Sequence, residues 1–76
     1  MLLTQTQRKV LRHLWRHKTY LVRNGRRYIY GNKNVWVMAT THESLALDGY
    51  IRSKIVHGQY EWFITTKGLD ALRRRR

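Results

Sequence analysis

The sequence predicts a small α+β domain of three short helices and two β-hairpins. Apolar residues recur at helical spacing near the start, after Thr40 and after Thr65. Between these stretches lie runs of β-branched and aromatic residues, interrupted at Asn24-Gly25 and His57-Gly58, the kind of dipeptide that tight hairpins need. A chain of 76 residues is long enough for one hydrophobic core and too short for two, so residues 1–76 are expected to form a single domain.

Residues 1–18 read as the first helix. Val10, Leu11, Leu14 and Trp15 share one face, with Arg8, Lys9, Arg12, His13, Arg16 and His17 around the rest. Thr4-Gln5-Thr6-Gln7 fits a capping box, and Arg16 and Lys18 complement the negative end of the helix dipole. Residues 19–39 change period. Tyr20-Leu21-Val22-Arg23 and Arg26-Arg27-Tyr28-Ile29-Tyr30 flank a type I′ turn at Asn24-Gly25, with Arg23 opposite Arg26. Gly31 to Asn34 form a second turn, and Val35-Trp36-Val37-Met38 a third strand. Residues 40–49 are expected as a short helix, capped by Thr40 with Glu43 as its capping-box partner, carrying Leu45 inward and ended by Gly49. Residues 50–65 make a hairpin turning at His57-Gly58. Residues 66–76 hold a last helix, capped by Thr65 or Thr66, with Leu69 and Leu72 inward and an Arg tail.

Sixteen Lys and Arg against four Asp and Glu give a formal charge of +12, and residues 73–76 account for only a part of it. Self-repulsion on this scale opposes compaction, and a polyanionic partner offsets it. The absence of Cys removes disulfides and thiolate chemistry and suits a reducing compartment. The longest apolar run, residues 35–39, is far too short to span a bilayer, and Met1-Leu2-Leu3-Thr4 lacks the charged start of a signal peptide, so the expected setting is the cytoplasm without a membrane partner. No nucleophile, base and orienting group come together, so no enzyme is expected. His13 and His17 stand one turn apart without a carboxylate to complete a metal set. Neither metal nor cofactor is expected.

Leu45, Gly49, Tyr50 and Ile51, followed by Trp62, Ile64, Thr65, Gly68 and Leu72, resemble the second half of a winged helix-turn-helix DNA-binding domain of the MarR and PadR kind. Thr4, Gln7, Val10, Leu11 and Leu14 are similar to the first helix of such domains. The resemblance covers about two thirds of the chain and rests on the joint order of its parts. It implies a winged-helix-like fold in which residues 40–49 are the recognition helix and residues 50–65 the wing, with a β-hairpin where the usual preceding helix would be. It further implies duplex DNA as partner, transcriptional regulation as role and a homodimer as assembly.

The candidate nucleic-acid-binding residues are Thr41, His42 and Ser44 on the exposed side of the recognition helix, Arg52, Lys54 and His57 on the wing, Arg23, Arg26 and Arg27 at the first hairpin tip, and Arg73 and Arg74 in the tail. The recognition helix offers no Lys or Arg, so the commonest direct readout, Arg on guanine, is missing from it. An alternative of another class is a small inhibitor or adaptor, of the kind phages and mobile elements encode, that docks on a host nucleic-acid-handling complex. A third reading is RNA binding, with Tyr20, Tyr28, Tyr30 and Trp36 stacking on splayed bases.

Overall fold

The computed structural model describes residues 3–74. In chain order they form α1 (Gln5–Arg16), β1 (Leu21–Asn24), β2 (Arg27–Tyr30), β3 (Lys33–Val37), α2 (Ala39–Leu47), β4 (Ile51–Val56), β5 (Gln59–Ile64) and α3 (Thr66–Arg73). The five strands make one antiparallel sheet in the order β3-β2-β1-β5-β4, so this is a small α+β domain with three helices.

All core-forming residues of the sheet point to one side. Leu21, Tyr30, Val37 and Ile51 are buried with Val10, Leu11 and Leu14 of α1 and Leu45 of α2, and Tyr28, Trp62, Ile64 and Leu72 pack around them. Register explains this: Leu21 lies between Tyr30 and Trp62, Tyr28 opposite Val37, and Ile51 opposite Ile64, and directly opposed residues share a face. The three helices cover that face only.

The α1 capping box forms as expected. Thr4 Oγ1 accepts from the Gln7 amide and Gln7 Oε1 accepts from the Thr4 amide. Gln7 also donates through Nε2 to Ser44 Oγ at 3.0 Å, tying the start of α1 to α2. Trp15, expected inward, is instead exposed, with the Lys18 ammonium 4.0 Å from its ring centre. Val10, Leu11 and Leu14 form the buried stripe of α1, and Trp15 lies at its margin.

Two turns differ from expectation. Arg23 pairs with Tyr28 and Asn24 with Arg27, so the first loop is Gly25-Arg26. Gly25 takes a φ of 67°, the positive value that a type II′ turn requires at its first loop position and that a side chain would resist. This one-residue slip moves Arg23 off Arg26. The second turn is only Gly31-Asn32, because β3 starts at Lys33. Helix α2 begins at Ala39 with Met38 as its cap and no side-chain cap bond. The Thr40/Glu43 capping box does not form, since Thr40 already lies inside the helix.

The segment that carries the family resemblance closes through hydrogen bonds. Thr65 Oγ1 accepts from the Gly68 amide at 3.0 Å and donates to the Gly49 carbonyl at 2.7 Å, while the Thr65 amide donates to the Tyr50 carbonyl. Gly68 lacks the Cβ that would collide with that Tyr50 carbonyl. The end of α2 and the start of α3 are thereby fixed to each other.

Candidate nucleic-acid interface

The pairing of β1 with β5 sets where the cations go. Leu21 opposes Trp62 and Val22 opposes Glu61, so the β1-β2 and β4-β5 hairpins run side by side and turn at the same end of the sheet. Their pairing stops there. Beyond Val22 and Glu61 the hairpins separate around a cleft of 420 Å³ lined by Val22, Arg23, Tyr28, Gln59, Tyr60 and Trp62. The molecule thus ends in a two-pronged fork. One prong carries Arg23, Arg26 and Arg27 and the other His57 at its tip, with Lys54 opposite Glu61 where the prongs part; Arg52, opposite Phe63, lies back in the paired sheet away from the tips, and all six are exposed. His57 and Gly58 take φ of 51° and 82°, the two positive values of a type I′ turn. Arg23 Nε donates to the Gly25 carbonyl at 2.9 Å, which holds its guanidinium against the turn. The only acid in either hairpin is Glu61, and it is buried.

Strand β3 runs toward the same end, since Val37 opposes Tyr28, and α2 starts immediately after it. A groove of 620 Å³ lies between α2 and the hairpins, with Arg23, Arg26 and Arg52 around a floor of Tyr28, His42 and Trp62. The structure corrects the expected recognition surface here. His42 is 7 % exposed, stacked on Tyr28 with ring centres 3.7 Å apart and edge-on to Trp62 at 4.4 Å. Burial, aided by the Arg23 charge, lowers its pKa from 6.5 to about 4, so the ring is neutral at pH 7. Ser44 is half-buried; it accepts from Gln7 and donates to the Thr41 carbonyl. Thr41 is half-buried too. What α2 exposes is Ala39, Thr40, Glu43 and Leu47, a face without a cation. An alternative inward register was invisible in the sequence because His and Ser suit either side of a helix.

The remaining cations divide by role. Arg8 donates to the Leu72 and Arg74 carbonyls at 3.0 and 3.3 Å and so serves to hold α1 to the end of α3. Lys9, Arg12 and Arg16 line a small groove with His13, His17 and Lys33, a convergence that the sequence reading missed because Lys33 is distant in the chain. His13 is occupied there, packed at a tilt against Tyr30 and within 3.0 Å of Asn32 Oδ1. Arg73 and Arg74 are exposed at the end of α3, near Arg8 and away from the fork; Arg75 and Arg76 of the expected tail lie outside the described residues.

No family model, curated protein or solved structure matches the chain. Among the described residues no helix is long and apolar enough to cross a membrane.

Proposed function

We propose that this is a DNA-binding domain that grips duplex DNA by its phosphates through the forked end. The observation that carries the reading is the convergence of Arg23, Arg26, Arg27, Lys54 and His57 toward one end of the sheet, with Arg52 further back on the same wing strand, while the single carboxylate of the two hairpins is withdrawn from the surface. A major groove admits a two-stranded β-ribbon, and phosphate neutralisation supplies sequence-independent affinity. The element order α2-β4-β5-α3 and the pairing of β1 with β5 support the winged-helix resemblance, with β2 and β3 standing where that family has a helix. The proposed readout is of backbone and shape, because α2 exposes no Lys or Arg. Transcriptional regulation in the cytoplasm, as a homodimer, is the role that the resemblance implies.

The test is a salt titration of duplex binding by fluorescence anisotropy. Arg26→Ala combined with Lys54→Ala is expected to weaken binding and to reduce the slope of log K against log salt by about 2, at roughly 0.9 per phosphate contact. An unchanged slope would remove the fork from the interface.

One observation favours a second reading, docking on a protein complex. Met38, Leu47, Ile55 and Tyr60 are exposed apolar side chains; Leu47, 80 % exposed, lines the α2 groove and Tyr60 the cleft between the hairpins. A complex that survives nuclease treatment and is lost on Leu47→Asp would support it.

A further inference from the structure

The far face of the sheet is open. Among the described residues no helix lies on it, and none of its side chains belongs to the core or packs against it. Register places Trp36, Ile29, Val22, Glu61 and Lys54 in one row across all five strands, with Tyr20, Phe63 and Arg52 alongside. Three aromatic rings therefore share an uncovered surface, two of them beneath cations. The Arg27 guanidinium lies 5.1 Å from the ring centre of Trp36, the Lys54 ammonium 5.6 Å from that of Phe63, and Phe63 and Tyr20 are 5.5 Å apart. Trp36 is 49 % exposed on the edge strand. The one acid, Glu61, is buried between Val22 and Lys54, with Gln59 Nε2 3.5 Å from its carboxylate.

We propose that this face binds an unpaired strand of DNA, with bases stacked on Trp36 and Phe63 and phosphates held by Arg27, Arg52 and Lys54. Charge complementarity selects the occupant: flat apolar rings with cations poised beside them match alternating bases and phosphates, whereas an apolar protein surface would leave those cations unpaired. Trp36 on β3 and Phe63 on β5 are three strand spacings apart, about 14 Å, a span that suits two or three nucleotides on a sheet. A duplex hides its base faces and cannot use the rings. The site shares Arg27, Arg52 and Lys54 with the duplex reading, and what is its own is the stacking of bases on Trp36 and Phe63, which a duplex cannot supply.

Anisotropy titrations of the full chain with a 12-nucleotide oligo(dT), an abasic strand of the same length, a 12-base-pair duplex and oligo(U) test it. Wild-type protein is expected to bind oligo(dT) at least about fivefold more tightly than the abasic strand, the smallest step that one stacked base gives. Trp36→Ala should erase that preference, Trp36→Phe should keep most of it, and Arg26→Ala should leave the ratio unchanged. Equal binding of oligo(dT) and the abasic strand by the wild type overturns the proposal without reference to any variant. Oligo(U) binding more tightly than oligo(dT) overturns the assignment to DNA. Base preference without duplex binding sinks the fork reading alone; duplex binding without base preference sinks this one alone.

Discussion

His42 is held between Tyr28 and Trp62 with its Nε2 buried and unpartnered, so the ring contributes packing while its nitrogen is an uncompensated polar group. Its pKa falls from 6.5 in the unfolded chain to about 4 in the fold. The unfolded state therefore takes up a proton at a higher pH than the folded state does. The neutral ring's contribution to stability is whole above about pH 7 and is lost as pH falls through the window between the two values. Single-site linkage over that window gives a loss of about 2 kcal/mol at pH 5 and about 3 kcal/mol at pH 4, upper values because the groove beside the ring admits water. For a domain of ordinary stability, about 5–15 kcal/mol, that is a substantial share. His42→Phe keeps a flat ring between the same two neighbours and removes both the titrating group and the orphan nitrogen. Urea denaturation followed by Trp fluorescence at pH 8, 6 and 5 measures the difference. The gap between variant and wild type is expected to widen by up to about 2 kcal/mol from pH 8 to pH 5, whatever offset the larger ring introduces at pH 8, since all other titrating groups are common to both. Parallel pH profiles would refute the buried, neutral histidine.

Arg8→Ala should lower stability by about 1–2 kcal/mol through loss of two charge-assisted bonds to the end of α3, whereas Arg12→Ala, on an exposed face, should change it by less than about 0.5 kcal/mol in the same urea series. Gly68→Ala forces a Cβ against the Tyr50 carbonyl, and a cost of about 1–3 kcal/mol is expected in thermal melts.

The elements themselves were legible from local chemistry. Thr4 and Thr65 cap their helices because their hydroxyls reach the amide three residues on, a relation that sequence spacing displays directly. His57-Gly58 makes its turn through a different local property, the ease with which Gly58 takes a positive φ. What depended on partners far along the chain was not legible. Trp15 and His42 exchanged expected places: the rings of Tyr28 and Trp62, brought together by the sheet, enclose His42, while Trp15 lies outside the buried stripe of α1. The first hairpin slipped by one residue because Gly25 satisfies either of two turn types. The candidate site divided in the same way. Arg23, Arg26, Arg27, Arg52, Lys54 and His57 were named individually from charge, but only the β1-β5 pairing shows that the two tips lie at one end. Thr41, His42 and Ser44 were named from helix position alone; tertiary packing took His42 into the interior and left Thr41 and Ser44 half-buried, Ser44 bonded to Gln7.

The salt dependence of binding to random duplex DNA tests the central claim most directly. If Arg23, Arg26, Arg27 and Lys54 each neutralise a phosphate, the slope of log K against log salt is about −3.6, and affinity falls about 150-fold between 50 and 200 mM salt. A slope near zero, or duplex affinity unchanged by Arg26→Ala with Lys54→Ala, would contradict a phosphate-gripping fork.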